Sequence, residues 1–143
     1  MNEELIAGVA VVLRNKKGQI LLGLRKSGWE NNTWGPPGGK IEHGESIKSA
    51  ACRELAEETS ITTQEKDLSF IGITINHISE KNRCYISIFM ITDSFNGLPK
   101  VMEADKCEKW KWFDTNKLPE PLFTPWKTLL KSHPQALKKV VED

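Results

Sequence analysis

Residues 38 to 61 read GGKIEHGESIKSAACRELAEETSI, and the placement of their carboxylates decides how the chain is read. Ala50, Ala51, Leu55 and Ala56 are good helix formers, so a helix is expected from about Glu45 to Thr59. Its C-terminal turn carries Glu54, Glu57 and Glu58. Negative charge there opposes the helix dipole at a cost of about 0.3–1 kcal/mol per charge. Glu54 and Glu58, four residues apart, also repel each other by a few tenths of a kcal/mol. Local stability does not account for this arrangement; a positive charge gathered between the carboxylates does. At about 100° per residue the three glutamates share one arc, beside the apolar arc of Ala51, Cys52, Leu55 and Ala56. They therefore converge at the border of core and solvent. Three carboxylates without a soft ligand suit a hard divalent cation, Mg²⁺ or alternatively Mn²⁺.

On either side the pattern is one of strands. LIAGVAVVLR (5–14) is almost continuously apolar, as in a buried strand, and QILLGLR (19–25) follows after the polar turn NKKG. The pair is expected to form a hairpin. KSGWENNTWGPPGG (26–39), rich in Gly, Pro and Asn, is expected to be loop. Beyond the helix, DLSFIGITINHI (67–78), CYISIFMITD (84–93) and KWKWFD (109–114) read as strands, and residues 124 to 132 as a second helix. A helical tail beyond Pro134 is a further expectation. Strands on both sides of a central helix, with another near the end, predict an α/β (α+β) sandwich over residues 1–143, as a single domain.

Composition narrows the function. A length of 143 residues is about one domain's worth, and 38% hydrophobic with 27% charged content is that of an ordinary globular chain. A net charge of +1 gives no footprint for nucleic acid. The N-terminus begins with acids, and its apolar run is too short for a membrane span. Cys52, Cys84 and Cys107 are odd in number and scattered, so they read as reduced thiols in a cytoplasmic protein.

The spacing Gly39, five residues, Glu45, seven residues, then Arg53-Glu54-Leu55-x-Glu57-Glu58-x-x-Ile61 resembles the signature of the Nudix hydrolases, G-x5-E-x7-R-E-U-x-E-E-x-G-U with U apolar. One fixed position differs, Ser60 standing where the family has glycine. The resemblance implies an α/β/α sandwich around a central mixed sheet. It implies Glu54 and Glu58 as principal Mg²⁺ ligands, and Glu57 as a further ligand or a base for the attacking water. The Gly38 carbonyl would complete the metal sphere, Arg53 would orient the glutamates, and Glu45 would brace loop and helix with it. The reaction implied is hydrolysis of a nucleoside diphosphate linked to another moiety. From a nucleoside triphosphate it yields monophosphate and pyrophosphate.

VMEADKCEKWKWFDTNKLPEPLF (101–123) and GQILLGLRKSGWENNTWGPPGGKIEHGES (18–46) are similar to a subgroup of plant cytosolic and human thiopurine-nucleotide-hydrolysing Nudix enzymes. That likeness implies small-molecule nucleotide substrates, oxidised or modified purine triphosphates such as 8-oxo-dGTP among them. The alternatives are ADP-ribose, another nucleoside diphosphate derivative or a prenyl diphosphate. A non-catalytic nucleotide-sensing module is the alternative of another class. Homodimers are common among such enzymes, although no sequence feature here demands one. Trp34, Trp110, Trp112 and Trp126 offer indole faces for a purine, Trp126 lying at the base-binding end of the subgroup. Phe123 and Ser87 are further pocket residues, Arg25 a phosphate contact, and Glu103, or alternatively Glu108, an extra acid near the metal. His43, His77 and His133 are isolated from one another in sequence and form no metal motif.

Overall fold

A computed structural model describes residues 3–138. Its strands are β1 (Glu4–Leu13), β2 (Ile20–Arg25), β3 (Trp34–Gly35), β4 (Gly38–Lys40), β5 (Ser69–Ile78), β6 (Arg83–Thr92) and β7 (Cys107–Phe113). The helices are α1 (Ile47–Thr59), between β4 and β5, and α2 (Thr124–Ser132), after β7. One sheet has the order β4-β1-β6-β5 and is mixed: β1 runs parallel to β6, while β4 and β5 pair antiparallel with their neighbours. A second, antiparallel sheet has the order β3-β2-β7.

The apolar run of β1 has two buried faces. Val9, Val11 and Leu13 pack with Leu21, Met90 and the α1 residues Ala50, Ala51 and Leu55. Val12 packs on the other side with Ile20, Leu22, Phe89 and the α2 residues Trp126 and Leu129. Alternate side chains thus serve opposite layers, which is why the strand lacks a polar face. The expected α/β/α layering results.

Two expectations are corrected. The turn between β1 and β2 forms as expected, with Asn15 N–H on the Gln19 carbonyl at 2.9 Å. The strands then make a single bridge, Arg14 to Ile20, and part into different sheets instead of forming a hairpin. Both are apolar on both faces, so each finds other partners. The segment 26–39 is likewise not all loop, since β3 and the first residues of β4 lie within it. Glycine lets β4 lie close: a Cβ on Gly38 would sit 2.2 Å from the Val9 carbonyl oxygen. Beyond Pro134, residues 134–137 are turn, and the rest of the expected helical tail, from 139, lies outside the described residues.

Helix α1 begins at Ile47 because Ser46 caps it, its Oγ accepting from the Ser49 N–H at 3.1 Å. It ends at Ser60, whose φ of 70° is left-handed and whose N–H bonds the Ala56 carbonyl. Ser60 therefore adopts the conformation for which the signature's glycine is suited. Ile61, fully buried, anchors the chain beyond the cap.

Candidate active site

Arg53 organises the acidic end of α1. Its Nε and Nη2 form a fork on Glu45, at 2.7 and 2.8 Å. Nη2 also donates to the Lys40 carbonyl at 3.0 Å, and Nη1 to Glu54 Oε1 at 2.9 Å and Glu57 Oε2 at 3.2 Å. One guanidinium thus ties α1 to β4 and to the turn before the helix, using the planar geometry that lysine lacks. The fork holds the Glu45 carboxyl well down, to about 2.

Glu58 has a different environment. It accepts from the Gly38 N–H at 2.7 Å, and burial pushes its carboxyl up to about 8. The Gly38 bond opposes that rise; nearby Glu54 and Glu103 add to it, and Arg25 pulls it down. Glu54 is also raised, by burial first, with Arg53 opposing. The Glu54 carboxyl rests against Gly39, where a Cβ would come within 2.3 Å of it.

Glu54, Glu58 and Glu103 line one cleft together with Gly38, Gly39 and Lys40. Glu57 does not line it; half-exposed, it is turned to Arg53. Among the described residues no group of three or more His, Cys, Asp or Glu side chains already encloses a metal position. The donor chemistry nevertheless fits a hard divalent ion: the ligands are oxygens, and confinement has raised two carboxyls in the way that a dication reverses. Glu108 is exposed and outside the cleft. His77 pairs with Glu3 and His133 contacts Ser132.

Beside the cleft lies a cavity of about 330 Å³, sharing Arg25, Pro36, Gly38, Gly39 and Lys40 with it. Ser87 and Phe123 line this cavity, as does Arg25. The Arg25 guanidinium lies 4.0 Å from the centre of the Phe123 ring, donates to the Trp29 carbonyl at 3.2 Å, and keeps a buried, unpartnered Nε.

Trp126 requires a correction. It is fully buried, 6.0 Å from Phe89 between rings, and takes no part in the cavity wall. On α2 its position faces the sheet, so its size serves the core. Trp34 packs edge-on against Phe113, and Trp112 stacks on Phe95. Trp110 lines the carboxylate cleft.

The tryptophan that lines the cavity is Trp29, which sequence reasoning missed. It stacks on Tyr85 at 5.4 Å and meets Phe123 edge-on at 5.3 Å. Glu30, next to it, accepts from the Thr124 N–H at 2.7 Å and from the Thr124 hydroxyl, capping α2 and fixing the loop. Tyr85, Arg83, Lys81 and Lys40 were also missed as cavity residues. Strand parity could have found two of them, because Arg83 and Tyr85 alternate in step with Ser87 along β6.

A family model described as NUDIX domain matches residues 4–133. The chain is 37% identical over 112 residues to an oxidized purine nucleoside triphosphate hydrolase of Danio rerio, covering 78% of this chain and 68% of that protein. It is 32% identical over 108 residues to an ADP-ribose pyrophosphatase of Methanocaldococcus jannaschii, covering 76% and 62%. The crystal structure of a MutT NUDIX hydrolase from Burkholderia pseudomallei superposes with a TM-score of 0.84 at 29% identity, covering 90% of this chain and 98% of that one. The chain belongs to the NUDIX family as a MutT-like Nudix hydrolase. Among the described residues no helix is long and apolar enough to cross a membrane.

Proposed function

We propose that the protein is a Mg²⁺-dependent pyrophosphohydrolase of nucleoside triphosphates, oxidised or otherwise modified purine nucleotides among them, releasing monophosphate and pyrophosphate. The observation that carries this reading is the shared wall: an aromatic cavity of nucleobase size opens onto the carboxylate cleft across Gly38, Gly39 and Lys40. A ligand seated with its base against Trp29 and Phe123 directs its phosphates along Arg25 and Lys40 toward Glu54 and Glu58. The relative from Danio rerio supports the triphosphate class.

Glu54 and Glu58, with the Gly38 carbonyl, would hold the ion, Mn²⁺ being the alternative, and Glu57 would join them on turning from Arg53 into the cleft. When bound there, a divalent ion would supply charge neutralisation for phosphate oxygens and a lowered pKa for water. Arg53 fixes Glu54 and Glu57 in place through its hydrogen bonds. Arg25 adds positive charge where the two cavities meet, which favours a phosphate there. A carboxylate of the site, Glu57 or Glu103, accepts the proton of the attacking water. The free cysteines agree with a cytoplasmic, reducing setting. The substrate is a small molecule, with no role for nucleic acid or a membrane.

The relative from Methanocaldococcus jannaschii keeps ADP-ribose as the second reading. Product identification separates the two. Canonical dNTPs, 8-oxo-dGTP, ADP-ribose and geranyl diphosphate are each incubated with Mg²⁺, with Glu58→Gln as control. Pyrophosphate and monophosphate from a triphosphate, lost in the control, supports the proposal. Turnover confined to ADP-ribose or the prenyl diphosphate overturns its substrate. Binding without turnover would favour a nucleotide sensor.

A further inference from the structure

Helix α2 starts without a capping side chain at its own N-cap position. That position is Phe123, an aromatic residue where serine, threonine, aspartate or asparagine is preferred. The cavity accounts for the choice: Phe123 lines it, beneath the Arg25 guanidinium and edge-on to Trp29. The orphaned donors at the start of α2 are met from 94 residues away, where the Glu30 carboxylate accepts from the Thr124 N–H and hydroxyl. A carboxylate at a helix N-terminus is also favoured by the dipole. Glu30 adjoins Trp29, so the bond that caps the helix reaches the other aromatic wall of the same cavity.

From these contacts we infer that Glu30 is a positioning residue for substrate binding. Its bond to Thr124 latches the Trp29 loop onto α2 and so sets the separation of the Trp29 and Phe123 walls. The inference rests on the reading of the cavity as the nucleotide site. From Ser27 to Thr33 the loop hydrogen-bonds its own stem, Arg25, and, among the described residues, one other element, α2, through Glu30. Glu30 and Asn32 hold φ values of 55° and 62°, a left-handed conformation that residues with a Cβ resist unless their surroundings impose it. At Glu30 it is imposed from two sides: the Thr33 hydroxyl donates to the Glu30 carbonyl at 2.7 Å, and Thr124 holds the carboxylate. The support behind the latch is firm, since Trp126 and Leu129 of α2 are fully buried. Glu30 itself lines neither the cavity nor the carboxylate cleft, so it acts on a ligand through Trp29.

Steady-state kinetics of the full chain on dGTP and 8-oxo-dGTP with Mg²⁺ test this. Glu30→Ala should raise KM about tenfold, the scale of hydrogen bonds to a charged group, while kcat stays within about threefold of wild type. Glu30→Gln keeps an acceptor for the Thr124 N–H and should recover most of that loss. Adding Thr124→Val to Glu30→Ala should cost less than about twofold more, because the latch is already gone. Without any ligand, trypsin should cut after Lys26 faster in Glu30→Ala than in wild type, as read by mass spectrometry. Leu129→Ala is the control for helix stability alone. It weakens the packing of α2 but keeps the latch, and its KM should stay near that of wild type at a temperature where it is folded. An unchanged KM or an unchanged cut in Glu30→Ala, fully additive losses in the double variant, or an equal rise of KM in Leu129→Ala overturns the inference while leaving the hydrolase reading intact. If the wild type turns over no triphosphate, the hydrolase reading fails, and the inference is judged by calorimetric binding of dGMP and ADP-ribose. Binding weakened about tenfold by Glu30→Ala then supports it, and equal binding or none overturns it.

Discussion

The Gly38 N–H and Glu58 Oε1 lie 2.7 Å apart, so the first residue of β4 holds the last glutamate of α1. This bond lowers the cost of keeping Glu58 charged, yet burial still leaves the carboxyl at about 8. An acid raised from 4.5 to about 8 binds its proton more tightly when folded. Its contribution to stability is present below the unfolded value and is lost as pH climbs through the folded one. In EDTA the unfolding midpoint should therefore fall between pH 5 and pH 9, and Glu58→Gln should flatten that fall. Glu54, also raised, leaves a smaller slope in the same direction. Mg²⁺ affinity, which needs the proton gone, should rise about tenfold per pH unit below 8 and level off above it. Identical pH slopes in wild type and Glu58→Gln would remove Glu58 from this account.

Adjacent glycines should fail differently. A methyl group at Gly38 meets the Val9 backbone oxygen at 2.2 Å, which cannot move without opening the β1–β4 pairing. At Gly39 it meets the Glu54 carboxyl, the end of a flexible side chain. Gly38→Ala should lower the unfolding temperature and the yield of folded protein. Gly39→Ala should keep a wild-type circular dichroism spectrum while losing Mg²⁺ affinity and activity. The reverse pattern would contradict both packing arguments.

Arg53→Lys keeps the charge and removes the fork. Lysine cannot reach Glu45, Glu54 and the Lys40 carbonyl in one plane as Arg53 does. Loss of such a supporting group typically costs about 10–100-fold in metal affinity or activity. Activity at saturating Mg²⁺ and the Mg²⁺ needed for half-activity should both worsen. A variant within twofold of wild type on both measures would reduce Arg53 to a surface cation.

The elements of this site differed in how well the sequence revealed them. The pairing of Arg53 with Glu45, which precedes α1, was expected from the resemblance to the signature and not from helical spacing, whereas Glu54 and Glu58 share one cleft because a helix turns a fixed spacing into a fixed direction. The core helix α2 was legible for the same reason, and its limits, 124 to 132, agree with those expected. The β1–β2 pair was misread because a turn fixes only where two strands begin to part, whereas long-range pairing with β6 and β7 decides their sheets. Trp29 was missed because nothing local defines a loop residue's direction: the bond from Thr124 to Glu30, 94 residues apart, sets that loop. Trp126 was misassigned from its neighbourhood in sequence, although the helical position places it on the core side.

Ser60 holds a φ of 70° at the end of α1. A residue with a Cβ is strained there by roughly 1 kcal/mol relative to glycine. Ser60→Gly should therefore raise stability by up to about 1 kcal/mol, part of the gain being offset by glycine's greater freedom when unfolded. Denaturant melts should show the midpoint rising at an unchanged m-value, with kcat unaltered, since Ser60 lines neither cavity. A fall in stability would mean that the serine side chain contributes more than its backbone strain costs.

Trp29 and Trp126 provide the sharpest separation of binding from packing. Trp29 lines the cavity and stacks on Tyr85, so truncating it removes a wall while leaving both core clusters in place. Trp29→Ala should raise KM for a nucleotide substrate by about tenfold, the scale of 1–3 kcal/mol for a base stacked on an aromatic ring. Its unfolding midpoint should stay near that of wild type. Trp126→Ala instead empties the space between Phe89, Val12 and Leu129, and truncations of this kind cost about 3–5 kcal/mol. At a temperature where the variant remains folded, its KM should be close to that of wild type. Equilibrium denaturation paired with steady-state kinetics on both variants distinguishes the roles. A Trp126→Ala protein of normal stability with a selectively raised KM would return that tryptophan to the nucleotide pocket and remove Trp29 from it.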